Sequence, residues 1–141
     1  MSGAIFLSPM GQYLRREKLA DAAGILPGHL LVETATGVAV NGTADDDPVR
    51  ALFADISIGD AGDTSRAYSL GETVNYASAS KGSYVSAILA DGQTIAVGAE
   101  LASNGDGTLK APAVAGTGVI GYATEAVTTS GSTASIKIEI L

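Results

Sequence analysis

The chain ends in the stretch SIKIEIL, residues 135–141, in which three isoleucines alternate with a lysine and a glutamate. Because successive side chains of a β-strand point to opposite faces, this alternation gives the stretch one apolar face and one polar face. A terminal strand so regular must be paired, since an open edge of this kind would recruit other chains. The ending therefore predicts a β-domain in which this strand lies inside a sheet.

A second stretch of the same kind lies upstream, SYVSAILADGQTIAV at residues 83–97. Apolar side chains occupy both of its faces between residues 84 and 89, which favours a central strand. The dipeptide Asp91-Gly92 is typical of a two-residue turn. We therefore expect residues 83–90 and 93–97 to form a hairpin.

Shorter alternating runs separated by turn residues fill most of the chain between these stretches and residue 29, which is typical of an all-β barrel or sandwich. The predicted strands and turns are His29–Ala35 and Val38–Val40 around a turn at Thr36-Gly37, then Arg50–Ile58, then Glu72–Ser78, and finally Val119–Thr128, which leads through Thr129–Gly131 into the closing strand.

Residues 1–25 have a different composition. Turn-prone Ser8, Pro9 and Gly11 precede a helix-compatible run, Gln12–Ala23. We interpret residues 1–25 as an extended N-terminal arm and residues 26–141 as a β-rich domain. A frayed terminus is the alternative.

Basic residues are concentrated in this arm, which holds three of the eight in the chain. Such a segment can dock on an acidic protein surface, and its removal, up to residue 20, is expected to leave the domain folded. The predicted partner-binding residues are Tyr13, Arg15, Arg16 and Lys18.

Composition limits the remaining possibilities. Among 141 residues 46% are apolar, with seven aromatics, no tryptophan and no cysteine. A core of small side chains buries little area per residue, which favours self-association, and disulfides cannot contribute. The net charge is −7, and because residues 1–20 contribute +2, the rest carries −9 and repels nucleic acid. No apolar run is long enough to span a membrane, and the order of basic and apolar residues differs from that of a secretory signal, so we expect synthesis in the cytoplasm.

Two glycine-rich motifs have the spacing of ligand-binding sites, but the residues around them do not fit such sites. Gly116, Gly118 and Gly121 have the G-x-G-x-x-G spacing of a dinucleotide site, but the 20 residues that follow predict a hairpin instead of a βαβ unit. Asn104–Gly107 resembles the middle of a calcium loop, yet alanines stand at its first and twelfth positions. We expect a loop and a β-turn at these places and no cofactor.

Three further sets of reactive side chains lack the partner residues that a catalytic or metal-binding site would need. Ser78 and Lys81 have the spacing of a serine nucleophile and its lysine base, but they lie at a predicted strand end. His29 is the single histidine and no G-x-S-x-G elbow is present. Asp45–Asp47 form an acidic loop that is expected to face water. We predict no catalytic and no metal-binding residues, and no enzyme.

Several segments in order resemble a family of small phage head decoration (cement) proteins over about Gly28 to Leu141. The segments that carry the resemblance are Pro27–Glu33 (PGHLLVE), Gly71–Val74 (GETV), Ala87–Gly98 (AILADGQTIAVG), Leu101–Leu109 (LASNGDGTL), Ile120–Val127 (IGYATEAV) and the closing SIKIEIL.

The resemblance implies a single β-barrel-like or β-tulip domain that trimerises and binds the major capsid protein. Such proteins sit on the outer surface of the icosahedral head at threefold and quasi-threefold positions and stabilise it against the pressure of packed DNA. No catalytic or interface residues transfer from the family. The alternative function is a carbohydrate-binding or fibre-tip β-sandwich. Such a module binds sugars on aromatic side chains, and this chain has only five tyrosines and no tryptophan for that purpose.

Overall fold

The computed structural model describes residues 4–8, 13–56 and 64–141, and all regular structure in these ranges is β-strand. Pro9, Gly11, Gln12 and Ile58 lie outside the described residues. No helix in these ranges is long and apolar enough to cross a membrane. The strands are β1 (Tyr13–Leu19), β2 (Leu31–Glu33), β3 (Val38–Val40), β4 (Leu52–Ala54), β5 (Thr73–Ala79), β6 (Tyr84–Leu89), β7 (Thr94–Ile95), β8 (Glu100–Ser103), β9 (Leu109–Lys110), β10 (Val119–Ala123), β11 (Val127–Thr128) and β12 (Ala134–Ile140).

A closed five-stranded barrel, in the order β10-β12-β6-β9-β8, forms the larger part of the fold. The closing strand β12 lies between β10 and β6, so the expected pairing of the terminal strand is confirmed. Its three isoleucines are buried in the barrel core while Lys137 is exposed. Strand β6 is central, as predicted, because β9 pairs with its other side. The mainly β fold class is confirmed.

A three-stranded sheet, in the order β1-β5-β4, packs against the barrel. Phe53 and Ala77 from one of its faces join the barrel core, whereas Leu52 and Tyr76 from the other face belong to a second apolar cluster. Alternation along β4 and β5 thus buries both faces of this sheet.

The second cluster is covered by the hairpin β2-β3, whose Leu31 and Val38 are buried in it. This hairpin was predicted, and its turn lies at the expected Thr36-Gly37. Because the hairpin rests on one face of the sheet and the barrel on the other, the sheet is the middle layer of the fold.

The first described segment, residues 4–8, runs beside β6. Ile5 is buried in the barrel core, and its carbonyl accepts a hydrogen bond from the N–H of Ser86. The N–H of Leu7 donates to the carbonyl of Tyr84. This segment therefore extends the barrel wall before the chain crosses to β1.

The helix-compatible interpretation of residues 12–23 is wrong for the part that the structure describes. Residues 13–19 form β1, which pairs antiparallel with β5 along all seven residues. Seven ladder pairs and the burial of Tyr13 outweigh the weak helical preference of a charged, leucine-containing run. The basic segment is consequently part of a sheet in this structure.

The expected hairpin between residues 83–90 and 93–97 is also wrong. Asp91-Gly92 do form a turn, but β6 pairs with β12 and β9, while β7 pairs with β11. Thr129, at the end of β11, lies between the two arms of the turn: its hydroxyl donates to the Ala90 carbonyl (2.7 Å) and accepts from the Gln93 N–H (2.9 Å). A side chain thus takes the place that a second strand of the hairpin would fill.

Candidate partner-binding surface

The four residues predicted to bind a partner all lie on β1, at the outer side of the three-stranded sheet. Since side chains alternate along a strand, Tyr13 and Arg15 point to one face and Arg16 and Lys18 to the other. The structure therefore divides the predicted set between two faces that have different surroundings.

Tyr13 is an anchor of β1 on the barrel. Its ring is buried and packs against Phe6, with ring centroids 4.7 Å apart. Its hydroxyl donates to the carbonyl of Tyr84 at 2.8 Å and accepts from the N–H of Ser8. The side chain of Tyr13 is already occupied inside the molecule.

Arg15 lies on the same face and is turned toward its own chain. Its guanidinium contacts the Asp55 carboxylate at 2.5 Å and lies 5.4 Å from the centroid of the Phe6 ring. Because its side chain is 40% exposed, this pair is solvated and contributes little to stability. Arg15 can reach a partner at the cost of loosening the contact with Asp55.

Arg16 points to the opposite face, into a cluster built around Glu33. One carboxylate oxygen of Glu33 accepts from Arg16 (2.9 Å) and from the Tyr76 hydroxyl (2.6 Å), and the other accepts from Arg50 (2.7 Å). These hydrogen bonds, that of Tyr76 foremost and that of Arg50 next, lower the pKa of Glu33 to about 2. Burial, together with the Glu33 carboxylate, raises the pKa of Tyr76 to about 12.

The Glu33 cluster connects β2, the approach to β4, and strands β1 and β5. Through its hydrogen bond to Glu33, Arg16 helps to hold the hairpin β2-β3 on the sheet. Sequence reasoning placed Arg16 with the binding residues and missed Glu33, because no local motif links residues so far apart.

Lys18 is an exposed cation that forms no ion pair among the described residues. Two leucines flank it on the same strand: Leu14 is 60% exposed and Leu19 is 52% exposed. Sequence reasoning missed these leucines, although two large apolar residues in a charged strand were a usable signal. Leu14 and Lys18 are exposed on one face of β1, and Leu19 is exposed on the other.

Of the remaining reactive side chains, several hold the fold. His29 is 8% exposed, and its Nδ1 accepts from the Leu26 N–H at 3.0 Å. Burial lowers the pKa of His29. Asp45 accepts from Lys110 (2.7 Å) and from the Ala113 N–H (3.0 Å), and Asp46 accepts from Asn41. The acidic loop is thus fastened to the barrel instead of simply facing water.

The two glycine-containing motifs are turns and strand contacts. The Asp106 carboxylate accepts from the Thr108 N–H at 3.0 Å, which closes the predicted turn between β8 and β9. Gly118 has a φ of 66°, and a Cβ there would lie 2.9 Å from the carbonyl oxygens of Asp45 and Asp46. Gly121 lies in β10, where a Cβ would meet the Glu139 carbonyl oxygen at 2.3 Å. These glycines allow close backbone contacts.

Three of the grooves on the described surface are compared by the residues that line them. One of about 560 Å³ lies beside β1, and no histidine, serine, threonine or lysine lines it. A second, of about 350 Å³, is lined by hydroxyl and apolar side chains with no base near them. A third, of about 220 Å³, contains the Glu33–Arg50 pair and the Asn41–Asp46 pair. None of the three is lined by a serine or threonine together with a histidine, a lysine or a carboxylate. Within residues 4–8, 13–56 and 64–141, no three metal-ligating side chains gather.

Comparison with known proteins identifies a solved structure with a similar fold. No protein-family model matches the chain, and no curated protein matches its sequence. Among solved structures, the chain is similar to the N base of head fiber gp8.5 of bacteriophage phi29, with a TM-score of 0.59 over 92% of this chain and 94% of that one. Identity is 16%, so the likeness concerns the arrangement of strands. The chain shares its fold with the base of a phage head fiber.

Proposed function

We propose that this chain is a non-enzymatic structural protein of a phage head. The observation that carries the proposal is the fold similarity to the phi29 head-fiber base, which extends over nearly the full length of both chains. None of the three grooves described above is lined by a serine or threonine together with a histidine, a lysine or a carboxylate, which agrees with a role in binding.

Within that role, we propose that it decorates the outer surface of the icosahedral capsid as a cement protein, bound to the major capsid protein at threefold and quasi-threefold positions, as a homotrimer. Packed DNA pushes the shell subunits apart, and a molecule that bridges them adds binding free energy that opposes their separation. Many copies on one head multiply a modest affinity per contact.

Strand β1 is the proposed contact with the capsid. It carries Lys18 exposed, and Arg15 at a solvated ion pair, on a chain whose remaining residues are strongly acidic. An acidic patch on the capsid would complement these cations and steer association, with an effect that salt weakens. Tyr13 and Arg16 support the strand from within.

Binding to heads tests this proposal directly. Heads stripped of the protein are mixed with the purified chain, pelleted, and the bound chain is quantified by gel densitometry. We expect saturable binding with a fixed number of copies per head, weakening with added salt. A chain that stays in the supernatant at all ratios would contradict the proposal.

A fiber base is the second candidate, and the identity of the structural neighbour favours it. As a base, the domain would attach a projecting fiber to the head. Electron micrographs of decorated heads separate the two: a fiber base would carry a projecting fiber, whereas a cement protein would not.

A further inference from the structure

A row of two tyrosines and two glutamates crosses the outside of the barrel. Glu139 of β12 lies opposite Tyr84 of β6 on one side and opposite Tyr122 of β10 on the other. Tyr122 in turn lies opposite Glu100 of β8. Side chains directly opposite each other in antiparallel strands share one face, with Cβ atoms about 4.5–5.5 Å apart. The four side chains therefore form a continuous row across four strands, the tyrosine–glutamate row.

The tyrosine–glutamate row faces away from the barrel core. Each of its members has a neighbour along the chain that is buried in that core, namely Val85, Ile138, Ala123 and Leu101. Since successive side chains of a strand alternate between faces, the row itself points outward. Tyr84 is 44% exposed, and the other three members are half-buried because they lie side by side.

The polar groups at the centre of this row have no partner within the described ranges of the chain. The Glu139 carboxylate forms no ion pair and no hydrogen bond there, and the hydroxyls of Tyr84 and Tyr122 form no hydrogen bond. Lys137 is exposed on the same face two positions before Glu139, yet the two side chains form no ion pair. The central carboxylate of the row thus lacks a cation in the part of the chain that the structure describes.

The surroundings of Glu139 favour a cation. The face of a tyrosine ring attracts positive charge, so the rings of Tyr84 and Tyr122 add to the attraction of the carboxylate between them. A flat guanidinium can donate two hydrogen bonds to one carboxylate and can stack on a ring, whereas an ammonium is a compact point charge. Arginine is therefore the side chain that fits this place best.

Glu100 supplies a second carboxylate at the end of the row. One of its oxygens accepts from the Gly116 N–H at 3.0 Å, which holds the side chain in place. Strand β8 lies two strand spacings from β12, or about 10 Å, and an extended segment of about three residues spans this distance. A partner with two basic side chains at that separation can contact Glu139 and Glu100 together.

A molecule that bridges two shell subunits needs two contact surfaces. Strand β1 is the proposed first contact and carries cations, whereas the tyrosine–glutamate row lies on the barrel and carries carboxylates. We propose that this row binds an arginine-bearing segment of the capsid protein, with one guanidinium on Glu139 between the rings of Tyr84 and Tyr122. A second basic side chain of the segment contacts Glu100. This inference rests on the proposed attachment to heads.

Glu139→Gln tests the proposed contact without disturbing the barrel. The substitution keeps the shape of the side chain and removes its charge, and no ion pair among the described residues is lost with it. Asp91→Asn is the matched control, because it removes an exposed carboxylate from the turn between β6 and β7, outside the row. Urea unfolding is expected to give the same midpoint for both variants as for the unmodified chain.

We expect Glu139→Gln to lower affinity for stripped heads by about tenfold or more, since it leaves the partner's guanidinium without its anion. Added salt should weaken binding of the unmodified chain more than binding of this variant. Asp91→Asn should bind within about twofold of the unmodified chain. A second variant, Tyr122→Leu, keeps apolar bulk but removes the ring, and it should lower affinity by about fivefold.

Tyrosine nitration gives a readout that a purely structural role of the row would not change. In the free chain we expect Tyr84 and Tyr122 to react, whereas Tyr68 and Tyr76, each 1% exposed, should remain unmodified. On heads, mass spectrometry of peptides should show that nitration of Tyr84 and Tyr122 falls several-fold.

The outcomes separate this inference from the proposed function. If the unmodified chain binds heads, while Glu139→Gln and Tyr122→Leu bind equally well and nitration does not change, the row is not a contact and the function stands. If Glu139→Gln leaves head binding unchanged and alters self-association in sedimentation, the row pairs copies of this chain and the inference is wrong. If the unmodified chain does not bind heads, both proposals fail.

Discussion

At the scale of single residues, Glu33 contributes most to joining the layers. Its carboxylate receives hydrogen bonds from two arginines and a tyrosine, and its side chain is 18% exposed. A partly buried anion of this kind is stable because all its neighbours donate to it. Replacing Glu33 with glutamine leaves one neutral amide oxygen as acceptor for Arg16, Arg50 and Tyr76, and it replaces the other oxygen with an NH2 group that can only donate.

Glu33→Gln is therefore expected to lower the free energy of unfolding at pH 7 by about 1–3 kcal/mol. The native pKa of Glu33 is about 2, below its usual value of 4.5, so the carboxylate stabilises the fold above pH 4.5 and this contribution is lost as the pH falls toward 2. Urea unfolding at pH 7 and at pH 3 measures the effect. The gap between the two proteins should narrow at pH 3, and a gap that stays constant would contradict the assignment. Glu17→Gln, at an exposed carboxylate, is the control.

Thr129 is a second residue whose side chain joins distant parts of the chain by hydrogen bonds. It does so at the turn where the sequence predicted a hairpin between residues 83–90 and 93–97. The Thr129 hydroxyl joins Ala90 to Gln93, and the residue is 6% exposed. The sequence around Asp91-Gly92 does not predict that a threonine 38 positions after Asp91 forms hydrogen bonds to both sides of this turn. The turn itself was predictable from its dipeptide, whereas its partner was not.

Thr129→Val keeps the shape and removes the hydroxyl, so it leaves the Ala90 carbonyl and the Gln93 N–H without that partner. We expect a loss of about 1–3 kcal/mol in the free energy of unfolding, and a near-normal value for Thr129→Ser, which retains the hydroxyl. Urea denaturation of the two variants is the measurement. Equal stability of Thr129→Val and the unmodified chain would show that the bridge contributes nothing.

At the scale of elements, alternation and turn residues predicted much of the fold. They predicted the hairpin β2-β3, strands β5 and β6, and a closing strand paired with β10. These elements have regular apolar periods, which local sequence reports well. The strand β1 has no such period, because its charged side chains are fixed by residues far along the chain, such as Glu33 and Asp55. The four residues proposed to bind a partner could accordingly be assigned to one segment from the sequence, but the sequence could not show which of them are held by contacts inside the molecule.

The packing of β1 changes what deletion of residues 1–20 is expected to do. The deletion would remove Ile5, Tyr13 and Ala20 from the cores and uncover the edge of β5. We expect a lower urea midpoint and concentration-dependent association, in contrast to the intact fold expected of a detachable arm. Leu14→Ser, at an exposed position of the same segment, should leave the free energy of unfolding within about 0.5 kcal/mol of that of the unmodified chain. Monomeric, fully stable protein after deletion would contradict this account of β1.

At the scale of the whole molecule, one apolar cluster joins the closed barrel to the middle sheet and a second joins the sheet to the hairpin β2-β3. The barrel strands have no open edges within the described residues. The cations of β1 lie on one part of a chain that is otherwise acidic. Such a polarised molecule suits a single orientation on a larger, complementary surface. The uneven charge distribution and the fold similarity to a head-fiber base are the two observations that support the proposed attachment to phage heads.

Cryo-electron microscopy of stripped, expanded heads mixed with the purified chain tests the central claim most directly. The account predicts ordered density for the β-barrel on the outer capsid surface at threefold and quasi-threefold positions, with β1 facing the shell. Heads that remain bare at saturating protein would contradict it.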